Sequence, residues 1–237
     1  MASCSPSPAS DSPAPSRPAL TTAKCADLIV LGARGYTQSW TKNFGSGTEV
    51  RRSVTAMAER LHDRADTTVR LEGAPYPADS EAAYAEDVVT GVGNLRELFT
   101  TLAESCPDST FAMVGFSQGA QVVHGFAIDL PPSQIERVAL VAMISDPRQN
   151  PDDDFTHWSY ADSPTTGAGK LGAGATLPEA LRSKAISFCV EDDEVCNWPP
   201  GGYSGPMSDT HRHFYETPER ARETGEQLEK ILEDNGI

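Results

Sequence analysis

"STFAMVGFSQGAQVVHGFAI", residues 109–128, sets a glycine-bounded serine between two apolar stretches. Residues 109–116 read as a strand buried on both faces, because the run is short, continuous and apolar. Residues 117–128 read as a helix. The junction, "GFSQG" at 115–119, fits the pattern G-x-S-x-G between a strand and a helix. Gly115 and Gly119 permit a turn tight enough to expose the Ser117 hydroxyl above a sheet, and the helix N-terminus behind it aims its dipole at developing negative charge. The backbone amide of Gln118 is then a ready donor to an oxyanion.

The same alternation continues outward. "CADLIVLGARG" (25–35) carries a buried strand at 28–31, and residues 49–64 place Val50, Val54, Met57 and Leu61 at helical spacing. "TTVRLEG" (67–73) is a further strand. From Ser80, a suitable N-cap, a long helical pattern runs through Val88, Val89, Val92, Leu95, Leu98, Phe99 and Leu102, with Pro107 beyond its end. "IERVALVAMI" (135–144) and "KAISFCV" (184–190) are strands, and residues 217–236 close the chain as a helix with Thr217 as cap and Pro218 in its first turn. Strand alternating with helix predicts an α/β fold: a central, mostly parallel five-stranded sheet with helices on both faces. Residues 147–177 and 197–210, rich in Gly, Pro, Ser and Asp, are expected to be surface loops. Residues 1–23 are dominated by Ser, Pro and Ala and are expected to form a flexible leader before a single domain spanning 24–237.

At 237 residues with 38% apolar content, one substantial core is expected. The 34 acidic residues against 19 basic, net −15, argue against nucleic-acid or anionic-lipid partners. No apolar run is long enough to span a membrane, and the N-terminus lacks the apolar stretch of a signal peptide. Of the five cysteines, Cys4 sits alone in the leader; the other four suit two disulfides, hence an oxidising compartment, with four buried thiols as the alternative. "ASC" before a Ser/Pro tether makes Cys4 a candidate for lipid attachment, against a chance cysteine in a leader.

A serine hydroxyl needs a base to take its proton and an acid to orient that base, and behind this type of turn they follow in the order Ser, acid, His. The downstream histidines are His124, His157, His211 and His213. His124 lies two turns into the helix that Ser117 starts and is expected to be structural. His157 precedes the acid-bearing strand. The base is therefore His211 or His213.

Taken together, "CADLIVLGARG", "CPDSTFAMVGFSQGAQV" and "CVEDDEVC" resemble the cutinase family of secreted serine esterases, a lidless branch of the α/β-hydrolases; the likeness covers roughly residues 25 to 230. The resemblance implies disulfides Cys25–Cys106 and Cys189–Cys196, Ser117 as nucleophile and Asp193 as triad acid. It implies oxyanion donors at Gln118 and Tyr36, where the family usually has Ser or Thr; the extra hydroxyl donor is lost unless Thr37 or the phenol replaces it. The family's histidine is commonly followed three residues later by an aromatic. His211 with Phe214 meets this, so His211 is preferred; the spacing from His213 to Leu228 favours His213. Tyr76 and Pro77 match a loop beside the family's crevice, with a mere Pro-bounded turn as the equal alternative. The implied activity is hydrolysis of cutin-like polyester, short acyl or lipid esters, without metal or organic cofactor, by a secreted monomer that needs no protein partner. An acetylxylan-type deacetylase and a weakly catalytic binding protein are the rival readings.

"CVEDDEVC" (189–196) lacks the alternating oxygen ligands and turn glycine of a calcium loop. Closing so short a loop is worth about 2.5 kcal/mol, against about 4.5 kcal/mol for the loop from Cys25 to Cys106. The small clip is therefore expected to hold Asp193 towards the histidine while its acidic neighbours stay in water.

Overall fold

The computed structural model describes residues 19–160 and 165–237. Strands β1 (Leu28–Ala33), β2 (Val69–Gly73), β3 (Thr110–Phe116), β4 (Val138–Ile144), β5 (Thr156–Ser159) and β6 (Ala185–Cys189) form one sheet in the order β2-β1-β3-β4-β6-β5. Every pairing is parallel. The helices are α1 (Thr48–Ala65), α2 (Tyr84–Ser105), α3 (Gln118–Ile128), α4 (Pro132–Ile135), α5 (Glu179–Arg182), α6 (Asp209–His213) and α7 (Pro218–Asp234).

The sheet has six strands, not the expected five. The added strand, β5, lies within the segment expected to be a loop. Its sequence, THWS, is a four-residue, half-exposed edge with no apolar run to announce it. A second correction concerns α2, which begins at Tyr84 and not at Ser80. The amide of Thr37 donates to Ala78 O at 2.5 Å, tying the chain ahead of α2 to the loop after β1, so the helix starts only once that contact is passed. At the other end of the chain the expected cap is present: Thr217 Oγ1 accepts from Arg220 N at 3.3 Å, with Pro218 in the first turn.

Alternate residues of each strand divide between two cores, as a doubly covered sheet requires. Ile29, Leu31, Phe111, Met113 and Val141 pack under α2 and α3 with Leu95, Phe99 and Phe126. Leu28, Val30, Val114 and Leu140 pack under α1 and α7 with Met57, Leu61, Leu228 and Leu232. Cys25–Cys106 ties the start of β1 to the end of α2, and Cys189–Cys196 closes the loop that leaves β6. Residues 1–18 of the expected leader, Cys4 among them, lie outside the described residues; Leu20 already bridges to Val69 of β2.

Candidate active site

The C-terminal ends of parallel strands are where an open α/β sheet presents side chains to ligands. Ser117 follows β3 there with φ 54° and ψ −119°, a region costly for any residue with a Cβ. The turn exists because its flanks are glycine: a Cβ at Gly115 would overlap Gly119 O, and one at Gly119 would overlap Ala33 O. The Ser117 amide donates to Ile144 O at 2.9 Å, which pins the turn to the end of β4.

His211 is carried by α6, whose N-cap Ser208 accepts from the His211 amide at 3.0 Å. Its Nε2 lies 3.0 Å from Ser117 Oγ, and its Nδ1 lies 3.0 and 3.2 Å from the two oxygens of Asp193. Asp193, fully buried, also accepts from Val195 N at 2.9 Å and from the Tyr215 hydroxyl at 2.7 Å. Burial pushes its carboxyl up, but the hydrogen bond and charge of His211, with the hydroxyls of Ser145 and Tyr215, outweigh that and hold it below the usual carboxylate value. Burial and the Asp193 charge push the Tyr215 phenol far up, so it remains a donor. The His211 ring stacks on Phe116 with centroids 5.2 Å apart.

The alternative base, His213, points elsewhere: its side chain is 64% exposed and pairs with Glu216 Oε1 at 3.0 Å. Of the acidic neighbours expected in water, Glu191 and Asp192 are exposed. Glu194 is not. It is buried, and its Oε1 accepts the Ser208 amide at 2.8 Å, so it anchors the cap of the histidine-bearing helix. His124 bonds Asp146 Oδ2 at 2.6 Å and Ala175 O at 2.8 Å, a structural position away from Ser117. His157 bonds Asp153 O and stacks on Phe155.

Among the described residues, the amides of Tyr36 and Gln118 have no hydrogen-bond partner. Thr37 does not replace the missing hydroxyl donor; its Oγ1 bonds Tyr36 O at 2.6 Å, while the Tyr36 ring meets Tyr84 edge-on. The loop is braced from below. Arg34 Nε donates to Gln38 O at 2.9 Å, Gly35 N donates to Gln38 Oε1 at 2.8 Å, and Arg34 and Tyr76 exchange bonds to each other's carbonyls. Tyr76 is thus buried support for this loop and not a crevice side chain, because its hydroxyl is consumed by Arg34 O. Pro77 is exposed.

The sequence model of the cutinase family matches residues 24–219. The chain belongs to the cutinase family. Among curated proteins it is 28% identical over 123 residues to a cutinase of Botryotinia fuckeliana, covering 52% of this chain and 58% of that protein. It is 26% identical over 172 residues to carboxylesterase Culp1 of Mycobacterium tuberculosis, covering 73% of this chain and 69% of the relative. The alignment to the first of these thus spans a little over half of the relative's length. Among solved structures, the catalytic core domain of acetyl xylan esterase from Trichoderma reesei aligns with a TM-score of 0.64 at 23% identity, covering 89% of this chain and 99% of that one. A cutinase-like protein from Cryptococcus sp. aligns with a TM-score of 0.65 at 16% identity, covering 91% and 97%. These two likenesses concern the fold.

Within this cutinase-family site, Ser145, Tyr215 and Ser208 were not singled out by sequence reasoning, and Glu194 was expected to stay in water. Tyr215 and Ser145 carry no local signal, since they reach Asp193 and His211 only through tertiary placement. Ser208 had one: a serine just ahead of a short segment ending in histidine is an N-cap pattern.

Proposed function

We propose that the chain is a serine esterase that cleaves carboxylic esters through an acyl-enzyme. The observation that carries this reading is the continuous path from Ser117 Oγ through His211 to buried Asp193, every step 3.0 Å long. As Ser117 Oγ attacks the ester carbonyl, its proton passes to His211 Nε2, and Asp193 stabilises the imidazolium. The unpaired amides of Tyr36 and Gln118 receive the carbonyl oxygen as it becomes an oxyanion. His211 then protonates the leaving alkoxide, and water, activated by the same imidazole, releases the acid. All of these groups belong to one chain, so the triad takes no residue from a second copy.

Exposed Trp40 and Phe44 follow the Tyr36 loop, and exposed Tyr203 and Met207 precede α6. Apolar side chains in the segments flanking both halves of the site favour esters with an apolar acyl or alkyl part, polyester or lipid-like, over acetylated sugar. The two disulfides support an extracellular setting. The test is hydrolysis of p-nitrophenyl butyrate against release of acetate from acetylated xylan, with Ser117→Ala as control. Butyrate turnover lost in Ser117→Ala is the expected result. Equal rates for the two proteins would sink the esterase reading, and faster acetate release would move the substrate to acylated polysaccharide.

A further inference from the structure

Ser145, the residue directly after β4, stands in the left-handed region with φ 54°, although it is not a glycine. Its side chain is fully buried. The sheet order explains what it faces. β4 lies between β3, which leads to Ser117, and β6, which leads to Asp193, so the position after β4 sits beside the imidazole that bridges the two. The surrounding backbone is fixed on both sides: Ile144 O accepts the Ser117 amide at 2.9 Å, and Ser145 N donates to Phe188 O at 2.8 Å. From there, Ser145 Oγ lies 3.0 Å from His211 Nδ1. Nothing in the turn itself explains a serine, since glycine adopts this conformation without a Cβ penalty. A strained residue with its polar atom on a catalytic group is the pattern expected where strain is kept for function.

We infer that Ser145 is a positioning residue of the proposed triad, holding the His211 ring in the Nδ1–H tautomer with Nε2 open to Ser117. Its hydroxyl oxygen accepts a branch of the Nδ1–H bond, beside the branch that Nδ1–H gives to Asp193. No bond at Nδ1 breaks during the reaction. The proton taken from Ser117 sits on Nε2 until it passes to the leaving alkoxide, and the hydroxyl steadies the imidazolium charge in the interval. A ring free to rotate would spend part of its time with Nε2 turned from the serine.

The inference rests on the esterase reading and is tested beside it. Ser145→Gly relieves the backbone strain and Ser145→Ala retains it, but both delete the hydroxyl. The two variants are measured for kcat and KM on p-nitrophenyl butyrate, for melting temperature, and by proton NMR of the His211 Nδ1–H in the resting protein. The expected result is a fall in kcat of about tenfold in both, the rate equivalent of one lost hydrogen bond. KM should stay within about twofold, since the hydroxyl does not touch substrate. The Nδ1–H signal should broaden through faster exchange, with melting temperature within about 4 °C of the parent. Unchanged kcat in Ser145→Gly, a loss confined to Ser145→Ala, or an unaltered Nδ1–H signal would each overturn the positioning role while leaving the esterase reading intact. Activity that survives Ser117→Ala would overturn both.

Discussion

Two neighbouring aspartates, Asp192 and Asp193, differ at the residue scale by environment alone. Asp193 is buried and accepts from His211, Val195 and Tyr215, whereas Asp192 is exposed. In Asp193→Asn the amide nitrogen can face Nδ1, favouring the tautomer with the proton on Nε2, which cannot accept from Ser117. Turnover of p-nitrophenyl butyrate should fall by about 10⁴-fold, as in other hydrolases whose triad acid is made an amide. Asp192→Asn should stay within about twofold. The same assay separates the histidines: His211→Gln should abolish turnover, and His213→Gln should leave it nearly unchanged. The strand-to-helix turn at Ser117 was legible because its signal is local: strand, glycine, serine, glycine, helix. Choosing between His211 and His213 needed a helix face, and the sequence offered only a resemblance. Ser145 was illegible because it acquires meaning only from the order of strands in the sheet, and Tyr215 because only the docking of the segment after α6 brings it to Asp193.

Five residues of α6 carry His211, the proposed base, so its stability as an element bears on the proposed rate. A helix this short has little propagation energy of its own and depends on its end contacts. Here they are Ser208 accepting from His211 N and Glu194 accepting from Ser208 N. Ser208→Ala should cost about 1 kcal/mol of folding stability. It should also lower kcat with little change in KM, measured by urea denaturation beside steady-state kinetics. The disulfides behave oppositely to one another. Replacing Cys189 and Cys196 by serine should cost about 2.5 kcal/mol, and replacing Cys25 and Cys106 about 4.5 kcal/mol. The first pair should nevertheless lower kcat more in the folded protein, because it closes the loop bearing Asp193. Elements with a continuous apolar run or a strong helical period were read correctly from sequence, as with β1, β3 and α7. β5 and the start of α2 were not, because an edge strand and a helix origin depend on what the neighbouring chain supplies.

Across the whole molecule, the His124–Asp146 pair couples α3, which starts at the nucleophile, to the segment after β4 and to the loop at Ala175. Both side chains are buried. Burial by itself lowers the imidazole pKa, but the charge and hydrogen bond of Asp146, the Ala175 carbonyl and the charge of Asp153 outweigh it and push His124 up to about 9. Since the folded value exceeds the unfolded one, near 6.5, the pair's contribution is fully present below about pH 6.5 and is lost as pH rises through about 9. Asp193 acts with the opposite sign: its lowered value contributes stability above the ordinary carboxylate range that disappears as pH falls through its folded value. Stability should therefore decline on both sides of a mildly acidic to neutral plateau. His124→Gln removes the alkaline limb specifically. At pH 6 it should be less stable than the parent by about 3 kcal/mol, because Asp146 is left buried without its cation. The gap should narrow steadily towards pH 9.5, where the parent's imidazole has also become neutral. Urea denaturation of both proteins across that range provides the check, and a gap independent of pH would show that His124 is neutral in the folded protein.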